Sequence, residues 1–166
     1  GNISKEKLEN CINSDLANNF GNLCQRVTAF AQKNCSAKVP KIIKFNKEDL
    51  EMLNKFTNNL ENIRNEIDKQ NVNFYIDFIV NALFEANKYF NDQEPWKKKE
   101  DLDRLNTIVY TSLEMIRKIS FMLYPIIPQT INKVLKIFNL DSNAIYLESI
   151  ASHDKLRSGE PINKID

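Results

Sequence analysis

Two polar side chains of the sequence could together recognise a nucleotide. Asn22 and Arg26 are four residues apart, so a helix places them one turn apart on the same face. The amide offers a donor and an acceptor and the guanidinium offers donors only, a set that can match the Watson–Crick edge of a base. Gly21, which lacks a side chain, predicts close approach of another group here. Alternatively, both residues are ordinary polar residues flanking the apolar stripe of a long helix.

A second candidate for nucleotide recognition is Trp96, the only tryptophan of the chain. It follows Pro95 and precedes Lys97, Lys98 and Lys99. An indole in such a segment can stack on an unpaired base while the lysines meet phosphates. The alternative is that the indole closes one end of the fold and the lysines are simply solvated.

Catalytic signatures are missing from the sequence. It contains no glycine-rich phosphate loop, no His-Glu-x-x-His motif and no cysteine or serine paired with a histidine. The single histidine, His153, is predicted to be a surface residue without a role, and the acidic residues are predicted to lie on solvated faces. The chain is therefore expected to hold no catalytic residue and no metal.

Composition and cysteine usage indicate a cytoplasmic protein. Cys11, Cys24 and Cys35 are odd in number and form no Cys-x-x-Cys pair, which favours free thiols in a reducing compartment. No apolar run approaches the roughly 18 residues of a membrane span, and no secretory pattern is present, so no membrane partner is expected. Because the net charge is only +1, any contact with nucleic acid must come from a local cluster of cations.

Apolar residues recur with helical spacing along most of the chain, which predicts an all-α fold. The first helix is long and is interpreted as the element around which the others are organised. The predicted helices span residues 5–35, 47–70, 74–91, 101–123 and 129–138, followed by a weakly structured tail at 139–166. Pro95 places residues 92–99 in a loop. One domain over residues 1–166, an antiparallel bundle of four to five helices, is the architecture that this pattern favours.

The same periodicity predicts which residues form the core. Expected to be buried are Leu8, Ile12, Leu16, Phe20, Leu23, Val27 and Phe30 of the first helix, Leu50, Leu53, Phe56, Leu60, Ile63 and Ile67 of the second, Phe74, Phe78, Ile79, Ala82, Leu83, Ala86 and Phe90 of the third, Leu102, Leu105, Ile108, Val109, Leu113, Ile116 and Ile119 of the fourth, and Ile131, Val134, Leu135 and Phe138 of the fifth.

Three motifs of the chain resemble one known family. Residues 13–26, NSDLANNFGNLCQR, are similar to the opening helix of the anticodon-binding domain of methionyl-tRNA synthetase, a class I aminoacyl-tRNA synthetase. Residues 86–96, ANKYFNDQEPW, and residues 123–128, LYPIIP, resemble two later motifs of the same domain. The resemblance covers residues 5 to about 138, and its first motif is shared more loosely by related class I synthetases.

The resemblance implies roles for particular residues. In the family, the residues at Asn22, Arg26 and Trp96 recognise the CAU anticodon of methionine tRNA, with Trp96 stacking on the first base, a cytosine. Asn87 matches a motif position near the Pro-Trp segment and is a supporting residue, as are Pro95 and the three lysines that follow Trp96.

The resemblance also implies a parent enzyme. The catalytic domain of the family, with its HIGH-like and KMSKS-like signatures, is missing from this sequence, so the chain is expected to be a C-terminal fragment without a catalytic centre. The full-length enzyme would be a methionine-tRNA ligase that uses ATP and Mg²⁺. The expected partners are the anticodon loop of methionine tRNA and the catalytic domain of the same chain.

Two alternative functions remain open from the residues alone. The chain could be the sibling anticodon-binding domain of a cysteine-, valine- or isoleucine-type synthetase. It could also be a helical protein-interaction module that binds no RNA, with Trp96 in a protein interface.

Overall fold

The computed structural model describes residues 5–145, 147–153 and 155–164, with side chains from residue 14 onward except at 147 and 148. The helices are α1 (Lys5–Asn34), α2 (Lys47–Asp68), α3 (Val72–Gln93), α4 (Leu102–Leu123), α5 (Pro128–Ile137) and α6 (Leu147–Ala151), with short 3-10 turns at Pro95–Lys97 and Ser142–Ala144. The all-α prediction is confirmed, and the ends of α1 to α5 lie within two residues of the predicted bounds.

The helix ends follow from local chemistry. Asn46 and Asp49 form a capping box at the start of α2, in which each side chain accepts a hydrogen bond from the other residue's backbone N–H, at 3.0 and 2.9 Å. The amide oxygen of Asn71 caps α3 in the same way, at 3.2 Å from the backbone nitrogen of Phe74. At its other end α3 continues to Gln93, two residues past the predicted end of the helix at 91, because Pro95 disfavours helix only at its own position and the residue before it.

The central element of the fold is α4, and the expectation that α1 has this role is corrected. Every residue from 107 to 123 is buried, and α4 packs against α1, α2, α3, α5 and α6. Polar residues recur along α4, so its sequence is typical of a helix with one solvated face. That face is covered by the segment after α5, which local periodicity does not reveal.

Most of the predicted core is confirmed, with differences at helix ends. Leu50, Ile67 and Leu102 are exposed instead of buried. Leu50 and Leu102 lie in the first turns of α2 and α4, and Ile67 lies in the last turn of α2. Half-buried residues are Phe30, Leu60, Phe74 and Phe78. Leu8 and Ile12 lie outside the residues whose side chains are described.

A buried ion pair lies on the polar face of α4. Glu114 is 0% exposed and Arg117 is 2% exposed. The guanidinium Nε of Arg117 donates to Oε2 of Glu114 at 2.6 Å, and the backbone N–H of Lys155 donates to the other carboxylate oxygen at 3.0 Å. The expectation that acidic residues lie on solvated faces is therefore wrong for Glu114, because the segment after α5 excludes water from this face.

Two buried cations of α4 fasten the segment that follows α5. Arg117 donates to the backbone carbonyls of Ser149 and Ser152, both at 2.8 Å, and the ammonium of Lys118 donates to those of Ile150 and Ser152. These carbonyls belong to the last turn of α6 and the residue after it, where backbone acceptors lack helical partners and cations are favourable. Residues 149–152 are thus held firmly against α4.

The remainder of the tail also pairs with the chain, in contrast to the weakly structured tail that the sequence predicts. The backbone of Val39 exchanges hydrogen bonds with Glu160 and Gly159, both at 2.8 Å, and the N–H of Ile162 donates to the carbonyl of Ala37 at 2.7 Å. His153 is half-buried, with Nε2 2.8 Å from the amide oxygen of Asn54. The expectation of a surface histidine without a role is corrected by this contact.

The described cysteines are free thiols in apolar surroundings. Cys24 is buried and Cys35 is half-buried, with the Cys35 thiol 3.9 Å from the amide oxygen of Asn106. Burial raises the pKa of both thiols, to about 11 for Cys35. Cys11 lies outside the residues whose side chains are described.

The raised thiol pKa values predict a loss of stability at alkaline pH. The fold favours the protonated thiol, so this stabilisation is fully present below about pH 9 and declines as the pH rises towards 11. We expect the free energy of unfolding in urea to fall between pH 8 and pH 10.5, and to fall less in Cys35→Ala. Identical pH dependence in wild type and Cys35→Ala would contradict the assignment to Cys35.

Candidate nucleic-acid interface

Arg26 of α1 is fixed against α3 by three contacts. Its Nη1 donates to the amide oxygen of Asn87 at 3.2 Å, and its Nη2 donates to the amide oxygen of Asn91. Its Cζ lies 5.4 Å from the centroid of the Phe90 ring, a cation–π contact. Although Arg26 is exposed, its guanidinium is thus held in one orientation, which is what directional recognition of a base edge requires.

The Phe90 ring connects Arg26 to Trp96. Phe90 is buried, and the ring of Trp96 meets it at a centroid distance of 5.8 Å and an angle of 67°. Phe30 packs on the same ring at 5.9 Å. Arg26 and Trp96 therefore each lie within 6 Å of one ring centroid, although they are 70 positions apart in the chain.

Asn22 is exposed one turn before Arg26 and opens onto a groove between α1 and α3. The groove has a volume of about 520 Å³. It is lined by Asp15, Leu16, Asn19, Asn22, Val80, Leu83, Phe84 and Asn87. Asn87 belongs to both regions: it lines the groove, accepts from Arg26, and donates its own amide N–H to the carbonyl of Leu83 at 3.1 Å. The structure thus brings Asn22 next to the Arg26–Phe90–Trp96 cluster.

Trp96 lies in a 3-10 turn and is 41% exposed. The turn begins at the buried Pro95, and Glu94 before it has a positive φ of 47°, which redirects the chain after α3. The indole meets the Phe90 ring at a steep angle while a large part of its surface stays accessible. The indole is therefore neither locked in the core nor detached from the fold.

The three lysines after Trp96 differ in their surroundings. Lys97 pairs with Glu94 at 3.2 Å in an exposed ion pair, which contributes at most about 1 kcal/mol and can be exchanged for a phosphate. Lys98 is half-buried and donates to the backbone carbonyl of Gln93 at 3.1 Å, so it braces the turn itself. Lys99 is exposed. Lys97 and Lys99 are the better candidates for phosphate contact.

A buried carboxylate, Asp49, fixes both ends of the segment that carries Trp96. Arg104 donates to its two oxygens at 2.8 and 3.0 Å and to the amide oxygen of Gln93 at 2.7 Å, and the phenol of Tyr89 also donates to Asp49. Burial raises the pKa of the Tyr89 phenol, and the hydrogen bond to Asp49 raises it further. The prediction that acidic residues lie on solvated faces is wrong for Asp49, whose only local signal is the capping box with Asn46.

Two residues of this cluster, Phe90 and Asn91, were not predicted to belong to the site, and the prediction made from Gly21 is not supported by packing within the chain. Phe90 and Asn91 both contact Arg26, and they lie three and four residues beyond Asn87, which is the spacing that could have placed them on the same face of α3. A Cβ at Gly21 would meet no other described atom within 4 Å, so packing within the chain does not require that glycine. In the part of the chain with described side chains, no cluster of three His, Cys, Asp or Glu could hold a metal.

Comparison with known proteins gives a consistent result for most of the chain. The family model described as the anticodon-binding domain of methionyl tRNA ligase matches residues 39–166. Methionine--tRNA ligase of Brucella suis biovar 1 is 38% identical over 138 residues, covering 82% of this chain and 27% of the relative. The ligase of Rhizobium meliloti is 32% identical over 163 residues, covering 98% of this chain and 32% of the relative.

Solved structures agree with the sequence relatives. The free form of Mycobacterium tuberculosis methionyl-tRNA synthetase superimposes with a TM-score of 0.84 at 29% identity, covering 98% of this chain and 33% of that one. A complex of that enzyme with methionyl-adenylate gives the same TM-score. The chain thus spans about a third or less of the length of the proteins it matches. Within the described residues, no helix combines the length and apolar character needed to cross a membrane.

Proposed function

This chain belongs to the family of anticodon-binding domains of methionyl-tRNA ligases, and from that premise we propose that it recognises the CAU anticodon of methionine tRNA. The observation that carries the proposal is the convergence of Arg26 and Trp96 on the Phe90 ring, with Asn22 one helical turn away. An exposed aromatic face beside fixed hydrogen-bonding groups is the chemistry that unpaired RNA bases require.

In the proposed complex, the first anticodon base stacks on the accessible face of Trp96. Cytosine presents an amino donor and two acceptors on its Watson–Crick edge, so the guanidinium of Arg26 donates to the acceptors and the amide oxygen of Asn22 accepts from the amino group. Uracil has an acceptor where cytosine has its amino group. A wrong base would therefore leave polar groups of the site unpaired, at a cost of roughly 1–3 kcal/mol.

We further propose that the chain is one domain of a longer methionine-tRNA ligase, which joins methionine to its tRNA with ATP. The support is the length of the relatives, of which this chain spans 27–32%. ATP and Mg²⁺ are assigned to the catalytic domain of that longer protein, which is then the second partner of this chain. A single continuous core that includes residues from Leu16 to Ile162 supports one domain over residues 1–166.

The alternatives receive less support. The family model and the relatives named above are of the methionine type, which favours a CAU anticodon over those of the cysteine, valine or isoleucine siblings. The same matches favour RNA recognition over a helical module that binds only protein.

The experiment that tests the proposal compares two RNA hairpins that differ only in the first anticodon base. We expect the hairpin with cytosine to bind at least about fivefold more tightly than the one with uridine, since uridine would cover Asn22 and Arg26 without pairing all of their donors and acceptors. Fluorescence anisotropy measures both affinities, and binding should weaken as salt is raised. Equal affinities for the two hairpins would overturn the assignment of the site to the first anticodon base.

A further inference from the structure

A second groove runs along the other side of α1, between that helix, α5 and the segment after α6. Its volume is about 530 Å³. One wall is formed by α1 between residues 17 and 32, and the other wall includes Thr130 and Lys133 of α5 and Lys164. Asn22 borders both this groove and the one between α1 and α3. A ligand bound beside Asn22 can therefore reach both sides of α1.

The groove between α1 and α5 has a positive wall. Lys133 and Lys164 come from distant parts of the chain, and both are exposed. None of the described residues that line the groove is acidic. Within the described part of the chain, neither lysine forms an ion pair. In a chain whose net charge is only +1, this local excess of cations is a site that attracts anions.

The wall formed by α1 leaves the helix backbone uncovered at Gly21. A Cβ at this position would meet no described atom within 4 Å, and alanine favours a helix more than glycine does. The folded chain by itself therefore gives no reason for a glycine here, whereas a ligand that approaches α1 closely would. The exposed amides of Asn18 and Gln25, about one turn to either side, add hydrogen-bond donors to the same wall.

The composition of this groove favours the RNA backbone over a base. No aromatic side chain is among the described residues that line it, so it offers no surface on which a base could stack. Ammonium and amide groups are the side-chain donors that contact phosphate oxygens. A lysine acts as a mobile point charge and needs no fixed geometry, so Lys133 and Lys164 can meet phosphates although both are exposed.

We propose that the groove between α1 and α5 binds the phosphate backbone of the RNA whose unpaired base is read beside Asn22. Lys133 and Lys164 contact phosphates, and Gly21 lets the sugar–phosphate chain approach the helix. This proposal rests on the proposed function, since it places the RNA across α1. Phosphates carry no sequence information, so this site contributes affinity and orientation and leaves the preference for cytosine unchanged.

The salt dependence of binding tests the two lysines. Each phosphate contact with single-stranded RNA contributes about 0.7 to the slope of log K against log salt. We therefore expect Lys133→Ala and Lys164→Ala each to lower the slope for the CAU hairpin by about 0.7 and to weaken binding at low salt, with the ratio of cytosine to uridine affinity as in wild type. Lys136→Ala is the matched control, because Lys136 is also exposed on α5 but does not line the groove.

A substitution on the α1 wall tests the groove independently of charge. Gly21→Leu places a side chain in the groove, and leucine is a better helix former than glycine. We expect circular dichroism and the urea midpoint of this variant to be at least those of wild type, because no described atom stands in the way of the new Cβ. Its affinity for the CAU hairpin should fall at least as far as that of the double variant of Lys133 and Lys164.

Hairpins in which one loop phosphate at a time is replaced by an uncharged methylphosphonate identify the contacts. At a contacted position, wild type should lose affinity and Lys133→Ala or Lys164→Ala should lose nothing further. Losses that add at every position would overturn the proposal. Lysine variants that lose no more affinity or salt slope than Lys136→Ala would also overturn it, and the groove would then be a surface for the rest of the ligase.

The same titrations separate this proposal from the proposed function. If wild type does not distinguish the cytosine hairpin from the uridine hairpin while Lys133→Ala and Lys164→Ala still lower the salt slope, the proposed function fails and the groove stands as a phosphate site. If the cytosine preference is present and the lysine variants behave as Lys136→Ala does, only the groove is refuted.

Discussion

Glu114→Ala is expected to lower the free energy of unfolding by about 3–5 kcal/mol, the cost of leaving a buried charge without its partner. Arg117 is 2% exposed and Lys118 is 0% exposed, so water cannot replace the lost carboxylate. The carboxylate also accepts from the backbone of Lys155, so its removal loosens the segment that covers α4. Because domains of this size are stable by about 5–15 kcal/mol, the loss would be a large fraction of the total.

Urea unfolding measures this effect, and the chain offers a matched control. Glu51 pairs with Lys47 at 3.8 Å with both side chains largely exposed, so Glu51→Ala should cost less than about 1 kcal/mol. Glu114→Gln keeps the shape but removes the charge and should fall between the two. If Glu114→Ala lost no more unfolding free energy than Glu51→Ala, the buried ion pair would stabilise the fold no more than the surface pair does.

Trp96→Ala is expected to weaken binding of the CAU hairpin by about 1–3 kcal/mol, which corresponds to roughly 5- to 150-fold. The indole is 41% exposed and contacts the Phe90 ring that Arg26 also contacts, so the variant removes an accessible aromatic face close to the guanidinium. Trp96→Phe keeps a smaller ring and should lose less. Circular dichroism of each variant shows whether the helices remain intact.

Two lysine variants separate stacking from charge. Lys99→Ala removes an exposed cation and should reduce the salt dependence of binding with a smaller loss of affinity than Trp96→Ala. Lys98→Ala removes the bond that braces the turn at Gln93, and its loss should not exceed that of Trp96→Ala. Equal binding by wild type and Trp96→Ala would defeat the stacking assignment.

Part of the site could be predicted from the sequence, because local spacing determines which residues are neighbours within one helix. It does not determine which residues of two helices meet. The interval of four between Asn22 and Arg26 places them on one helical face, and the Pro95-Trp96 pair marks a break between helices. That Arg26 meets Asn91 and that Phe90 lies between Arg26 and Trp96 depends on how α1 packs on α3. No periodicity within one helix specifies that packing.

By itself the sequence determined the elements, because helical periodicity, capping residues and prolines act within a few positions of the chain. The existence and approximate bounds of α1 to α5 follow from those local rules, whereas α6 was not predicted. Only the tertiary structure decided that α4 is central, that Glu114 and Asp49 are buried, and that residues after Asn139 are held in place. In each of these cases the group that covers the residue lies far away in sequence. Burial therefore depends on how two distant segments pack against each other.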